Sequence, residues 1–302
     1  MEIREVLSEY DISEIKEITE PFRVTNPKNK LYKVDTVNES YVLKFIGNRN
    51  REDLDNEIRA ILFFQKNELL PEDYLLLTKK RSVGYKTEEG AFILLRYIQS
   101  PVSGLYKKEL SNEDIRKIAC EIAAVHGKIT EMKLDYDKDA FIEKVNELRY
   151  LTEKFQTPPF ARETFSKEAD SFTNIHKFME KIPIHGDIRL CNILKEGERI
   201  YFIDFERTKI ANRIFELHKI ALEICLESEG FSYEKLKILL KSYSYNISRS
   251  EMILLYYLMK LELYISTVRK IAHIPEGYSE EYIQKITGIV DKGKMLEILD
   301  FD

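Results

Sequence analysis

The sequence predicts an α+β fold in which a small, mostly antiparallel sheet-rich lobe precedes a larger helical lobe. Three observations predict it. Apolar patterns in the first hundred residues follow the order strand, strand, helix, strand, strand, and after Pro101 the pattern becomes mainly helical. The chain of 302 residues is 44% hydrophobic, which is enough to bury a core in two lobes. We place the boundary near Ile98, giving lobes of residues 1–98 and 99–302.

The small lobe opens with a helical pattern that extends to about Glu20. Two runs of strand length then flank the turn Val37-Asn38-Glu39-Ser40, which predicts a hairpin. A polar stretch leads from Gly47 to Asp55 into a second helix with apolar residues at helical spacing. The predicted strands of this lobe are residues 31–36, 41–46, 74–78 and 91–98.

The helical lobe begins with a capping pattern, because Ser111 is followed three residues later by Asp114 and then by a one-sided apolar stripe. Residues 135–180 predict further helix, interrupted at Thr157-Pro158-Pro159. Two short strands, 192–195 and 200–205, are predicted to form another hairpin. A later helix starts at Ser248, which has Glu251 at capping-box spacing.

Composition and charge exclude several classes of protein. A net charge of -5 and a pI near 5.8 provide no basic field for nucleic acid. No run reaches about 18 uninterrupted apolar residues, so we expect no membrane association. The first residues are acidic and amphipathic, unlike a signal peptide, and three widely separated cysteines fit a reducing compartment. We therefore expect a cytoplasmic protein, and nothing in the sequence ranks an oligomer interface.

The segment with the clearest chemical meaning is His185-Gly186-Asp187-Ile188-Arg189-Leu190-Cys191-Asn192, followed by Asp204-Phe205-Glu206 after the second hairpin strand. In phosphoryl transfer, one carboxylate orients the acceptor hydroxyl while another carboxylate and an Asn hold Mg²⁺ on the nucleotide phosphates. Asp187 fits the first role, and Asn192 and Asp204 fit the second. The Asp-x-x-x-x-Asn spacing is that of a kinase catalytic loop. We expect His185 to brace this loop by hydrogen bonds.

These motifs resemble those of the aminoglycoside phosphotransferase and choline kinase superfamily, the small-molecule branch of the protein-kinase-like fold. The His-Gly-Asp start and the Asp-Phe-Glu end are similar to the pattern of that branch. The resemblance covers most of the chain and implies a two-lobed protein-kinase-like fold. It also implies ATP or GTP as phosphate donor, Mg²⁺, a small molecule with a hydroxyl group as acceptor, and direct in-line transfer without a phosphoenzyme.

Further residues of the small lobe resemble the family's nucleotide site. Asn29 lies where the phosphate loop of the family enters a strand, and Lys44 is similar to the strand lysine that binds the α/β-phosphates. Glu57 resembles the helix residue that pairs with this lysine, and we prefer it to its acidic neighbours at 52, 53 and 55. By the same resemblance, backbone groups of three residues at the lobe junction read the adenine edge: Arg96, Tyr97 and Ile98.

The sequence departs from the pattern at two places. Residues 22–34 contain no glycine, whereas the family usually has a Gly-rich turn there that lets backbone amides approach the phosphates. Arg189 stands two residues after Asp187, where protein kinases commonly have a lysine that meets the transferring phosphate. We expect Arg189 to serve the same purpose.

The acceptor is left open by the sequence. An aminoglycoside antibiotic is our first expectation, which would make the protein an antibiotic-resistance kinase. A polycation of that kind needs carboxylates, and the acidic helices after Ser111 permit it. Choline needs an aromatic cage, which the tyrosines between 243 and 257 permit. Homoserine, a sugar or a spore-coat-type acceptor are alternatives, and the Gly-free loop motivates a different class, a nucleotide-binding pseudokinase.

Overall fold

A computed structural model describes residues 3–19, 29–47, 51–98, 110–134, 140–155, 163, 179–228, 230–273, 285 and 288–300. The chain divides into two compact units. The first comprises residues 1–102 together with 193–208, and the second comprises residues 103–192 and 209–302. The first boundary lies close to the predicted position at residue 98, while the hairpin after residue 192 joins the first unit.

The first unit contains a six-stranded antiparallel sheet. Its order is β1-β2-β3-β6-β4, with β5 also pairing with β6. The strands are β1 (Ile15–Thr19), β2 (Asn29–Thr36), β3 (Ser40–Gly47), β4 (Leu75–Leu76), β5 (Tyr85–Thr87) and β6 (Gly90–Arg96). The helices are α1 (Ile3–Ser8) and α2 (Arg51–Lys66). The predicted hairpin of β2 and β3 and the predicted helix α2 are therefore confirmed.

The N-terminal helix is shorter than the sequence pattern predicted. Helix α1 ends at Ser8, and residues 15–19 form the edge strand β1 instead of continuing the helix to Glu20. Ile15 pairs with Thr36 and Ile18 with Val34 of β2, with an irregularity between Ile15 and Glu17. β-branched residues favour such a pleated surface, and tertiary pairing therefore overrides the local helical spacing.

The two faces of the sheet are used differently. One face carries Leu43 and Val34 and packs with α1 into a hydrophobic core in which both side chains are fully buried. Successive residues of a strand point to opposite faces, so Lys44 points away from that core. On that other face, the Lys44 ammonium donates a hydrogen bond to the carboxylate of Glu57 on α2. The alternation of β3 thus turns one charged side chain toward α2 while its neighbours fill the core.

A second hairpin belongs to the same unit. Strands β8 (Ile193–Glu196) and β9 (Arg199–Phe202) pair in antiparallel register, which confirms the predicted hairpin. A 3₁₀ turn, Phe205–Arg207, follows. The ring of Phe205 packs edge-on against Phe64 of α2, with centroids 4.5 Å apart. Both rings are buried, so this contact fixes the turn, and the residue just before it, on α2.

The second unit is mainly helical. Helix α3 begins at the predicted cap, because the Ser111 hydroxyl accepts from the Asp114 backbone and the Asp114 carboxylate binds the Ser111 backbone. The helix predicted from Ser248 is also present and is the longest described. The helices are α3 (Asn112–Ile129), α4 (Ala140–Lys154), α5 (Ile214–Cys225), α6 (Tyr233–Ser242), α7 (Arg249–His273) and α8 (Lys292–Glu297).

Helix α5 is the central helix of this unit. It packs against both α6 and α7, and nearly all of its residues are buried. Its buried residues include three that carry ionisable side chains, Glu216, His218 and Lys219. Short antiparallel pairs complete the unit: β7 (Ile182–Ile184) with β10 (Lys209–Ala211), and β11 (Leu226–Glu227) with β12 (Gly230–Phe231). No helix in the described part of the chain is long and apolar enough to cross a membrane.

Candidate active site

The first unit contains a polar centre built around one buried lysine. The Lys44 ammonium lies 2.5 Å from Oε1 of Glu57 and 3.0 Å from Oδ1 of Asp204. Lys44 and Glu57 are buried, whereas about a third of the Asp204 side chain is exposed. We call these three residues the Lys44 centre. It brings together positions that lie up to 160 residues apart in the sequence.

Local structure explains how each member reaches this centre. Lys44 sits on the non-core face of β3, and Glu57 comes from α2. Asp204 precedes the turn anchored by Phe205 and has the left-handed backbone conformation φ 70°, ψ 69°. This conformation is uncommon for a residue other than glycine, although Asp tolerates it better than most. Backbone strain of this kind is typical of functional positions.

Electrostatics keep the Lys44 side chain charged. Burial alone would lower the pKa of Lys44, but the nearby charges of Glu57 and Asp204 outweigh burial and raise its pKa above the usual value. The charge of Glu206 acts in the same direction. One cation between two carboxylates gives the centre a net charge of about -1. The ammonium of Lys44 is suited to a phosphate, and the carboxylate charge in excess is suited to a metal ion.

The second unit contains the other predicted residues, in the loop that follows β7. Asp187 and Asn192 are buried, and the Asn192 amide nitrogen donates to the Asp187 carbonyl oxygen at 2.9 Å and approaches its carboxylate Oδ2 at 3.4 Å. The Asp187 carboxylate is also ion-paired with the ammonium of Lys219 on α5. We call Asp187, Asn192 and Lys219 the Asp187 centre.

The backbone of this loop is held by α5. The buried Glu216 carboxylate accepts hydrogen bonds from the N–H of Gly186 at 3.0 Å and the N–H of Ile188 at 3.1 Å. The two donors flank Asp187. Gly186 has φ 81°, in the left-handed region that favours glycine. This conformation explains why the motif reads His-Gly-Asp at this place.

A second glutamate of α5 holds the following residues. Glu223 accepts from the Leu190 N–H at 2.7 Å and from Nε of Arg189 at 3.1 Å. The Arg189 side chain is about half exposed. His185 is fully buried, and its Nδ1 lies 3.3 Å from the Asp187 N–H. His185 therefore contacts the loop backbone, in the manner expected of a bracing residue.

Three predicted adenine-site residues lie at the end of β6. The Arg96 N–H donates to the Tyr74 carbonyl at 2.7 Å, and the Tyr97 N–H donates to the Ser40 carbonyl at 3.0 Å. Ile98 is buried. Arg96 and Tyr97 line a cavity of about 390 Å³ in the first unit, together with residues of the β2–β3 turn and the β8–β9 hairpin. The adenine role assigned to these residues stays a prediction.

The Gly-free loop lies outside the described residues, because residues 20–28 are not described. Asn29 forms the first residue of β2, where its backbone pairs with Ile46. The position agrees with the predicted entry of the phosphate loop into a strand. The way in which the loop itself meets a nucleotide stays a prediction.

The residues predicted to bind metal fit Mg²⁺ chemically. Asp204 offers a partly exposed carboxylate, and Asn192 offers an amide oxygen that accepts a 3.5 Å contact from the Cys191 thiol. Mg²⁺ in kinases is commonly held by one or two protein oxygens together with substrate phosphates and water. Within the described ranges, no cluster of three His, Cys, Asp or Glu side chains could hold a metal by itself.

Sequence reasoning missed the side chains of α5 that hold the catalytic loop. Phe215-Glu216-Leu217 resembles a family motif, but no role was assigned to Glu216, and Lys219 and Glu223 were not singled out. The signal was present as helical spacing, since Glu216, Lys219 and Glu223 follow one another at i, i+3 and i+7 and share a face. A charged stripe on an otherwise apolar helix is the informative feature.

Comparisons with known proteins identify the family and the fold of this chain. Residues 28–236 match the model of a family described as the phosphotransferase enzyme family. A search of curated proteins finds no match. Many solved structures share the fold, and three of them illustrate it.

Spectinomycin phosphotransferase, in complex with ADP and spectinomycin, is 14% identical and has a TM-score of 0.63, with 98% of this chain and 96% of that chain covered. Choline kinase from Streptococcus pneumoniae is 17% identical and has a TM-score of 0.61, with 97% of this chain and 96% of that chain covered. Amicoumacin kinase, in complex with AMP-PNP and Ca²⁺, is 12% identical and has a TM-score of 0.68, with 100% of this chain and 96% of that chain covered.

The fold is therefore the α+β fold of protein-kinase-like phosphotransferases, as predicted. Because the family model spans more than half of the chain, this protein belongs to the phosphotransferase enzyme family. The protein is therefore a phosphotransferase.

Proposed function

We propose that the protein transfers the γ-phosphate of ATP or GTP, bound with Mg²⁺, directly to a hydroxyl of a small molecule, and that this molecule is an aminoglycoside antibiotic. The observation that carries the proposal is the Lys44 centre, in which a buried, charged lysine is fixed by Glu57 beside the carboxylate of Asp204. In such a centre the lysine binds the nucleotide phosphates, and the carboxylate in excess of the lysine charge binds a divalent cation.

Each residue has a role in this proposal. Lys44 binds the α/β-phosphates, and Glu57 keeps its ammonium in one position. Asp187 accepts the hydrogen bond of the acceptor hydroxyl and orients its oxygen for attack. Asp204 and Asn192 would hold Mg²⁺, which supplies charge neutralisation on the phosphates when bound.

The remaining predicted residues complete the transfer site. Arg189, anchored by Glu223, approaches the transferring phosphate with its exposed guanidinium edge. His185 braces the loop backbone. Backbone groups of residues 96–98 meet the adenine, and Asn29 follows the phosphate loop. Catalysis then comes from positioning and charge stabilisation, and no covalent phosphoenzyme forms.

The choice of acceptor is supported by likeness to kinases of antibiotics. Two of the similar structures are a spectinomycin phosphotransferase and an amicoumacin kinase. The likeness to a choline kinase supports choline as the second acceptor, with homoserine and sugars after it. Under this proposal the protein works in the cytoplasm and confers antibiotic resistance.

The test is phosphate transfer from Mg·ATP, and separately from Mg·GTP, across a panel of aminoglycosides, choline, homoserine and sugars. We expect phosphorylation of one aminoglycoside that disappears in Asp187→Ala and persists in Asp11→Ala, which removes an exposed carboxylate between α1 and β1. Removal of Mg²⁺ with a chelator should abolish transfer, and readdition should restore it.

Binding measurements separate the alternatives. A nucleotide at a hundredfold excess over its Kd stabilises the folded state by about 2.7 kcal/mol, which thermal unfolding detects. Stabilisation by Mg·ATP without transfer to any acceptor would favour the pseudokinase. No stabilisation by either nucleotide would contradict nucleotide binding altogether.

A further inference from the structure

Helix α5 carries buried charge on a face that would otherwise be apolar. Glu216, Lys219 and Glu223 share this face, and each contacts the loop that contains Asp187. The two glutamates bind backbone N–H groups, so their role in holding the loop is clear. Lys219 differs because it binds the Asp187 carboxylate itself.

The two carboxylate oxygens of Asp187 have different donors. Lys219 binds Oδ1, and the Asn192 amide lies 3.4 Å from Oδ2. The terminal torsion of an Asp side chain is broad, so a carboxylate held at one end alone samples many orientations. Donors on both oxygens fix its plane. Each oxygen has two lone pairs, so an acceptor hydroxyl can still donate to Asp187.

Stability by itself does not explain this pair. Lys219 and Asp187 are each about nine-tenths buried. Desolvation of two buried charges offsets most of their attraction, and apolar residues of similar size often stabilise a protein as well or better. A buried lysine on the proposed hydroxyl-orienting carboxylate is therefore better explained by the position it gives that carboxylate.

A second buried pair in the same unit provides a matched comparison. Lys144 of α4 is ion-paired with Glu262 of α7, and Lys144 and Lys219 are equally buried. The two lysines lie close enough for the charge of Lys219 to lower the pKa of Lys144, after the larger effect of burial. In the part of the chain that the structure describes, Lys144 contacts Glu262 and the Phe215 ring and none of the residues assigned to the transfer site. Its replacement therefore has a similar structural cost without the same functional consequence.

We propose that Lys219 is a positioning residue of phosphate transfer: it holds the Asp187 carboxylate in the orientation that receives the acceptor hydroxyl. This inference rests on the proposed function. The orientation of Asp187 then depends on a helix side chain outside the motifs at residues 185–192 and 204–206. Replacement of Lys219 should therefore change turnover and leave nucleotide binding unchanged.

The experiment compares Lys219→Met with Lys144→Met in the full chain, using ADP formation from Mg·ATP with water as acceptor and with any acceptor found by the panel. We expect Lys219→Met to lower kcat by about 100-fold, the size of effect produced by a small misplacement of a catalytic group. The KM for Mg·ATP should stay within about threefold of the wild type, because the nucleotide residues are intact. Lys144→Met should keep kcat within about threefold.

Two further variants strengthen the test. Lys219→Gln keeps a hydrogen-bond donor without the charge and should give a kcat between those of the wild type and Lys219→Met. If Lys219→Met does not fold, Lys219→Gln provides the test, and its kcat should fall while its KM for Mg·ATP stays nearly unchanged. In an Asp187→Asn background, Lys219→Met should cause little additional loss, because the two residues act as a unit.

Each outcome has one meaning. Equal losses of kcat in the Lys219 and Lys144 variants, or a raised KM with unchanged kcat, would overturn the positioning role while leaving the proposed function intact. Absence of ADP formation by the wild type with water and with every acceptor would overturn the proposed function, and the positioning role with it.

Discussion

The Lys44 centre and the Asp187 centre are both buried ion pairs, but their charge balance differs. In the first, one lysine lies between two carboxylates, one of which is partly exposed. In the second, one carboxylate is matched by one lysine, and both are buried. An unbalanced, partly open centre is suited to binding charged groups from outside. A balanced, closed centre is suited to holding a reacting group still.

The two centres also differ in what anchors them. The alternation of β3 orients Lys44, and the apolar packing of Phe205 on Phe64 holds the turn that follows Asp204 on α2. The Asp187 loop is fixed by hydrogen bonds to two glutamates of α5. We therefore expect substitutions in the first centre to change nucleotide binding and substitutions in the second to change turnover.

The largest effect should come from Asp187→Asn. The amide keeps the size of the side chain but cannot accept the hydroxyl proton and leaves Lys219 without its counter-charge. General acid–base contributions of this type are worth about 10²- to 10⁴-fold, and we expect a loss of kcat in that range with a nearly unchanged KM for ATP. Asp291→Asn, at the cap of α8, is the control and should affect only stability. Wild-type turnover in Asp187→Asn would break the assignment of the second centre.

The next effect should come from Lys44→Met. It removes charge-assisted hydrogen bonds that the proposal assigns to the phosphates, each worth about 1.5–3 kcal/mol, so we expect the KM for Mg·ATP to rise about 10- to 100-fold. Lys86→Met, at an exposed position of β5 in the same sheet, is the control. Steady-state kinetics across ATP concentrations measures both. A loss confined to kcat would contradict the contrast between the centres.

A smaller effect is expected from Glu216→Gln. The amide replaces one acceptor oxygen by a donor, which leaves one of two buried N–H groups, that of Gly186 or Ile188, without a partner. The unfolding free energy should fall by about 1–3 kcal/mol, and kcat should fall with it while the KM for ATP holds. Glu223→Gln, on a more exposed residue of the same helix, should cost less. Denaturant unfolding and kinetics on the same preparations test this order, and equal costs would contradict it.

The last effect changes stability alone, and it concerns the acid stability of the second unit. His126 is buried against Tyr243, with the Nδ1 and hydroxyl 2.5 Å apart. Burial, with a contribution from Arg213, lowers the pKa of His126 to about 3. Because the unfolded state binds a proton near pH 6.5 and the folded state does not, this contribution to stability is complete above pH 6.5 and is lost as the pH falls toward 3.

The slope from this one histidine should approach about 1.4 kcal/mol per pH unit below pH 6.5. Urea unfolding between pH 4.5 and 7.5 measures it. The variant His126→Asn retains a polar atom near Tyr243 and should show a flatter dependence. An identical slope in the variant would assign the acid sensitivity to other groups.

The sequence by itself determined the elements with strong local signals. Such elements are formed by residues that are close in the sequence, so their patterns can be recognised in it. They are the alternation at residues 31–46, the cap at Ser111 and the hairpin after residue 192. The candidate site residues from His185 to Asn192 were recognisable for a related reason, since their spacing matches that of a kinase catalytic loop, and Asp204 follows the predicted hairpin.

Tertiary structure decided the rest. Residues 15–19 became a strand because β2 offers them a pairing edge, which no local spacing encodes. Lys44 obtained its partners from a helix and a turn far along the chain, and Asp187 obtained Lys219 from α5. Burial raises the cost of an unpaired charge, so such partners are selected by three-dimensional proximity. The sequence therefore identified the candidate site residues, and only the folded chain determined which charges hold them in place.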